Sequence, residues 1–424
     1  MGLSGLGKER FALLFAVMLV AAGGNTAMQS LMPAIGRRLG LADILIAFAF
    51  SLSALLWVIT APHWARQADR RGRRALMRLG LWGFIAAMLV CGAALAAGIH
   101  HLVPPIAVFA LFIFGRSFYG GFGSAAPPAV QAYIAARTEG AQRTNALAAI
   151  ASSFGLGTII GPAVAPLFIF EPLGLAGPLV VFAIIGALVL AAIILRLPDD
   201  TPHRPAHGQL VEEPSIGGGG GAGLMHAEAR RPLHWRDRRV FRWLIAGIIG
   251  GHGQAAMLGV IGFLIIDRLQ VPVAHAQQSI AVVLMSGAAA TLLAQWWLIP
   301  QLHFSPRALI VWGALLAAAG ALGTGLATGI YGLTLSFALS SMAFGLLRPG
   351  FTSGASFAVA PDEQNAVAGM VTSVNGVAYI AAPAIGVGLY GLAMPLPFLI
   401  VAALMLGLAI WASVNLHVSP RGAN

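Results

Sequence analysis

Two stretches of this 424-residue chain place polar side chains inside long apolar runs. GGNTAMQ, residues 23–29, holds Asn25 and Gln29, and GGHGQAAM, residues 250–257, holds His252 and Gln254. Arg116 stands in a third such run, within FIFGRSFYGG, residues 112–121. Histidine titrates near physiological pH and can load and release a proton. Arginine keeps its charge and offers a planar fork of donors to an acceptor or an anion. The chemistry on offer is proton exchange and recognition of a polar group away from bulk water. Each residue also has a purely structural use: one carbonyl can satisfy His252, and Arg116 can be a hydrogen-bond hub between helices. All fourteen acids map to loops or to the ends of apolar runs, so no carboxylate joins these groups. No G-x-x-x-x-G-K-[ST] loop or catalytic constellation occurs, and the glycines at 217–221 read as a low-complexity linker. The chain is not expected to be an enzyme or to hold a cofactor or metal ion.

The elements that position these groups follow from composition. With 58% hydrophobic and 9% charged residues there are too few charges to cover a water-soluble globule of this length. About twenty apolar residues span a bilayer core, and such runs recur near 11–33, 43–62, 75–98, 104–127, 143–168 and 174–196. Six more follow near 240–266, 275–299, 306–328, 331–357, 364–390 and 394–415. Only a helix satisfies its own backbone in lipid, so the expected fold is all-α with twelve transmembrane helices. The first run is too long for a cleaved signal peptide and continues directly into MPAIGRRLG.

A formal charge of +11 raises the question of nucleic acid, but the basic residues sort by side of the membrane. With the N-terminus inside, twenty Lys or Arg fall in cytoplasmic segments and only Arg37, Arg38 and Arg268 fall outside. Both termini are therefore expected in the cytoplasm, and no nucleic-acid partner is expected. Arg116 and Arg348 lie within spans, where Arg348 is near enough to a helix end to snorkel. The lone Cys91 can form no internal disulfide and fits a packing role in the third span.

Residues 197–238 interrupt the hydrophobic rhythm and read as a flexible cytoplasmic linker between a bundle at 1–196 and a bundle at 239–424. The halves repeat. A shift of 221 carries Pro128, Gly155 and Pro162 onto Pro349, Gly376 and Pro383, and a shift of 227 carries Gly23-Gly24-Asn25 onto Gly250-Gly251-His252. Two repeats with a site between them at mid-depth form a transporter arrangement. Asn25 and His252 lie about thirteen residues from their cytoplasmic helix ends, roughly 20 Å at 1.5 Å per residue, close to the bilayer middle.

Three motifs then support a family resemblance. ARQADRRGRRAL, residues 65–76, resembles the first loop motif of the major facilitator superfamily, with Asp69, Arg70, Gly72, Arg73 and Arg74 matching and Ala65 and Gln67 departing. GRSFYGGFGSAA, residues 115–126, is similar to the superfamily's R-x-x-q-G-x-g motif, with Tyr119 in place of the usual glutamine. GLGTIIGPAVAP, residues 155–166, is similar to the drug:proton antiporter motif, with Gly157, Gly161 and Pro162 matching and Ala165 and Pro166 departing. The chain thus resembles the twelve-helix drug:proton antiporters, which include bacterial multidrug and tetracycline-type exporters.

The resemblance implies two pseudo-symmetric six-helix bundles. It also implies a cytoplasmic gate in which Asp69 docks on the start of the eleventh span, while Arg70 and Arg73 pair with Asp362 or Glu363. It makes Gly157, Gly161 and Pro162 a hinge, although close glycine packing alone explains much of that pattern. Many drug antiporters carry an acid in or near the first span; Asn25 and Gln29 stand here instead. That departure makes His252 the leading proton carrier, with Arg116 and Asp69 the other candidates for coupling.

Asn25, Met28, Gln29, Arg116, Tyr119, His252, Gln254 and Met257 are the expected cavity lining. Arg116 is expected to be held by Gln29 or Asn25 and by carbonyls or hydroxyls of the fifth span. With no anion to hold a cation, the expected substrate is a neutral, zwitterionic or acidic amphiphile: a drug, a siderophore-like metabolite or a lipid-like compound. The expected function is proton-coupled export of that small molecule by a monomer, embedded in lipid as a multi-pass protein of a bacterial inner membrane. Two alternatives stand beside it: an importer or facilitator of organic anions on the same fold, and a membrane sensor that transports nothing.

Overall fold

In lipid a backbone amide has no water to turn to, and every regular element among the described residues is a helix. The computed structural model describes residues 7–135, 137–138, 140–198, 234–270, 272–302, 304–359 and 363–416. Side chains are described except at 65–66, 68–70, 135, 140–145, 147–148, 151, 273–275, 364–366, 368–369 and 372. The linker expected at 197–238 lies largely outside the described residues.

The first half runs α1 (Lys8–Arg38), α2 (Asp43–Arg71), α3 (Arg73–Ile99), α4 (Pro105–Gly121), α5 (Ala126–Ala135), α6 (Gly140–Val164) and α7 (Gly177–Arg196). The second runs α8 (Arg238–Leu269), α9 (Val273–Leu293), α10 (Ile299–Leu302), α11 (Pro306–Leu326), α12 (Ile330–Phe357), α13 (Gln364–Leu392) and α14 (Leu396–Asn415). Proline in the first turn opens α4, α7, α11 and α14, where its missing N–H costs nothing. Between α2 and α3, Gly72 takes φ +85°, a left-handed conformation that favours glycine, so the glycine of the loop motif has a local reason.

Among the described residues, eleven helical segments are long and apolar enough to cross a membrane, and Ser152–Phe168 is a shorter apolar helix. Nine of the eleven follow the expected spans without a break. The fourth and eighth spans are built differently from a plain helix. Two prolines, Pro127 and Pro128, remove successive backbone donors, and α4 stops at Gly121 before a 3-10 turn at Gly123–Ala125 and then α5. The eighth span passes through a π-helical stretch at Ala294–Leu298. Pro349, which the repeat aligns with Pro128, sits inside an unbroken α12.

The chain divides into two compact units, Met1–Ala222 with Val271–Ala281, and Gly223–Gln270 with Val282–Asn424. In the first, α1 and α6 meet at a seam of small residues. A Cβ on Gly157 would lie 2.5 Å from the Leu19 carbonyl oxygen, and one on Gly161 would collide with the Gly23 carbonyl. Thr26 adds hydroxyl contacts to the seam, 2.9 Å from the Ala22 carbonyl and 3.5 Å from that of Gly157. In the second unit α8 and α13 pack in the same way, with a Cβ on Gly259 falling 2.9 Å from Pro383. Close backbone approach through small residues is how membrane helices associate without a hydrophobic driving force. The internal repeat therefore appears in the packing: in each half the first and fifth spans meet along a close seam.

Candidate functional site

Arg116 enters the first unit from the middle of α4 and is 1% exposed. Its Nη1 donates to Asn25 Oδ1 at 2.9 Å and lies 3.8 Å from Met28 Sδ. Its Cζ is 4.5 Å from the Phe50 ring centroid and 5.1 Å from that of Tyr119. An arginine at mid-helix costs about 2.5–3.5 kcal/mol on insertion scales, and one hydrogen bond to a charged group returns about 1.5–3 kcal/mol. The two aromatic faces tip the balance toward burial, since cation–π contact strengthens when water is excluded. No hydrogen bond joins the guanidinium to α6 among the described residues. The expected partner in the fifth span is thus replaced by Met28 and by the rings of α2 and α4, because α6 spends its close approach on α1.

The residues that hold this centre lie on α2 at 50, 53, 57, 60 and 64, alternating steps of three and four that keep them on one helix face. Phe50 covers the guanidinium. Ser53 Oγ donates to the Arg116 carbonyl at 3.1 Å. Thr60 Oγ1 lies 3.0 Å from the Gly120 carbonyl and 2.8 Å from Ser124 Oγ. Trp64 Nε1 donates to the Gly121 carbonyl at 2.6 Å. That last bond answers the helix break: Ala125 N donates to the Phe122 carbonyl in the 3-10 turn, so the Gly121 carbonyl loses its α-helical partner. Trp57 packs on Tyr119 with ring centroids 5.1 Å apart. The stripe is legible as spacing, yet a lone Ser, Thr or Trp in an apolar run looks like ordinary packing, and no member was foreseen.

Two buried donors here have no hydrogen-bond partner, Arg116 Nε and Trp57 Nε1. Each such group costs about 1–3 kcal/mol if it stays unpaired. Tyr119 is buried, with its hydroxyl 3.5 Å from the Ala21 carbonyl. Gln29 is half-buried beside these residues in sequence. The first unit thus brings together Asn25, Met28, Arg116 and Tyr119 of the expected lining. Cys91 is buried on α3 with Sγ 3.6 Å from the Phe112 carbonyl, a packing position.

The remaining lining residues belong to the second unit, on α8. His252 is half-buried and its Nδ1 is 2.8 Å from the Ile248 carbonyl one turn back. A carbonyl cannot donate, so Nδ1 carries the proton of this hydrogen bond. Gln254 is half-buried and Met257 buried.

Of the expected gate, Asp362 and the side chains of Asp69 and Arg70 lie outside the described residues. Arg73 is buried at the start of α3. Glu363 has a partner within its own unit: Arg239 grips both its oxygens at 2.8 and 2.9 Å. The same guanidinium binds Asp237, which also caps α8 through the Arg239 N–H at 2.9 Å. These bonds, the side-chain one foremost, hold the Asp237 carboxyl below its ordinary range.

Eleven long apolar helices and a buried polar centre, with no carboxylate hydrogen-bonded to Arg116 among the described residues, fit a multi-pass membrane protein. The chain belongs to the Major Facilitator Superfamily, whose description matches residues 14–301. Multidrug resistance protein 2 of Bacillus subtilis (strain 168) is 28% identical over 155 residues, 37% of this chain and 36% of that protein. A multi-drug resistance efflux pump PmrA homolog of Lactococcus lactis subsp. lactis (strain IL1403) is 30% identical over 158 residues, 37% of this chain and 35% of that protein. The chain thus spans about a third of the length of these curated relatives where it matches them. A bacterial homologue of the human lysosomal transporter Spinster, solved inward-facing and occupied, shares the fold with a TM-score of 0.74 at 13% identity, covering 96% of each chain.

Proposed function

We propose that this transporter is a proton-driven exporter of a neutral, zwitterionic or acidic amphiphile, working by alternating access. Arg116 carries the reading: a fully buried guanidinium whose hydrogen-bond partner is the neutral Asn25 suits a substrate that brings an acceptor, not a cation. Outward transport is supported by the relatives, both named for multidrug resistance. Coupling to protons is supported by the antiporter-like motif at 155–166 and by His252, an ionisable group within a span. The same reading includes twelve spans, two bundles at 1–196 and 239–424 joined by a linker, both termini cytoplasmic, and a monomer in a bacterial inner membrane. Gly157, Gly161 and Pro162 serve as the hinge of α6, where proline removes one helical hydrogen bond beside the α1 seam.

Everted membrane vesicles test the direction and the coupling. Compounds chosen by a growth-inhibition screen in an efflux-deficient bacterium should accumulate in respiring vesicles and alkalinise the lumen. Acidification of the lumen, or accumulation that ignores the proton gradient, would overturn the reading. The loop motif further assigns Asp69, Arg70, Gly72 and Arg73, with Asp362 and Glu363, to the cytoplasmic gate. In the same vesicles Asp69→Asn, inserted at the wild-type level, should retain less than a tenth of the transport rate. A normal rate would remove Asp69 from the mechanism.

A further inference from the structure

Of the five residues in the α2 stripe, four spend their interactions on α4. Phe50 covers the guanidinium, while Ser53, Thr60 and Trp64 bind the backbone of α4 at Arg116, Gly120 and Gly121. Trp57 also packs on α4, its ring against Tyr119, but it is 7% exposed and its Nε1–H has no hydrogen-bond partner. Tyr119 is also the ring beside Arg116, whose Nε is the other buried donor without a partner. Two unspent donors, one of them charged, therefore flank a single aromatic ring.

An indole offers a donor and no acceptor, and so does a guanidinium. Asn25 Oδ1 accepts from Nη1, and no carboxylate among the described residues hydrogen-bonds the guanidinium. Native proteins pair nearly all their buried polar groups, so two leftover donors at one ring call for an acceptor from outside the chain. We infer that Trp57 Nε1 and Arg116 Nε form a subsite for the oxyanion of an organic acid, with the rings of Phe50 and Tyr119 receiving its apolar part. This rests on the proposed substrate site and narrows its ligands from amphiphiles at large to organic oxyanions, a carboxylate being the simplest. Trp57 sets specificity by its single N–H, while Arg116 supplies the charge.

The test compares two fluorescent probes that differ in one charge, dansylglycine and its neutral amide, titrated against the purified full chain in phosphatidylcholine nanodiscs at neutral pH. The wild type should bind the acid at least tenfold more tightly than the amide. Trp57→Phe keeps a ring and removes the N–H; it should bring the preference below threefold. Trp82→Phe, at an exposed position on α3, should retain the wild-type preference. Arg116→Gln should abolish the preference. Equal affinity of the wild type for both probes, failure of the wild type to bind the acid, or an undiminished preference in Trp57→Phe would each overturn the inference. No proton gradient is present in this titration, so an exporter reading that fails in everted vesicles and a subsite that fails here are separate results.

Discussion

Arg116→Lys is expected to lower the transport rate at least a hundredfold while the protein remains inserted at its normal level. The substitution keeps a positive charge and discards the planar fork, so it separates geometry from charge. Arg116 reaches Asn25 Oδ1 with one nitrogen while its plane lies over Phe50. The lysine ammonium is a compact, strongly hydrated point charge and cannot serve both at once. A lost hydrogen bond to a charged group is worth about 1.5–3 kcal/mol, which at about 1.4 kcal/mol per decade is one to two decades. Reduced contact with the aromatic faces adds to that. Initial rates in everted vesicles, normalised to the amount of protein in the membrane, decide the matter. Wild-type turnover in Arg116→Lys would make the residue a structural hub and remove it from substrate recognition.

His252→Asn should bind substrate and fail to accumulate it against a gradient. The variant preserves polarity and approximate size and makes both half-motifs read GGN, matching Gly23-Gly24-Asn25. It removes the ring and with it Nε2, the nitrogen not engaged by the Ile248 carbonyl. Net transport by the wild type should change across pH about 5.5 to 8, the window that histidine side chains cover in general. In the variant only downhill exchange should remain, flat over that range. Uphill pumping with the wild-type pH profile would assign the proton to another group and leave His252 as a satisfied core histidine.

Hydropathy and spacing alone located most of the helices. The first expected span, 11–33, is α1 over Lys8–Arg38, longer at both ends because helical hydrogen bonding continues past the apolar core. The repeat of GGN and GGH was legible as a repeat, while the structure shows Gly23 and Gly251 at the seams of α1 with α6 and of α8 with α13. These features are legible because they are local: twenty apolar residues, or a glycine at one step of a helix, have the same consequence wherever they occur in lipid. The polar composition of the runs likewise located Arg116 and Asn25 and showed that no acid accompanies them.

Which donor meets which acceptor was not legible, because those partners are far apart in the chain. Asn25 and Arg116 are 91 residues apart, Ser53 and the Arg116 carbonyl 63, Arg239 and Glu363 124. The α2 stripe is invisible until α4 lies against it, and the carbonyl that Trp64 satisfies exists only because the chain breaks before Pro127 and Pro128. The sequence by itself determined that the chain lives in a membrane, repeats in two halves and buries a cation without an anion. Tertiary structure decided which hydrogen-bonding groups around Arg116 are spent on the fold and which two beside Tyr119 are left over, because a buried polar group's satisfaction depends on what lies within about 3 Å of it, not on its neighbours in sequence.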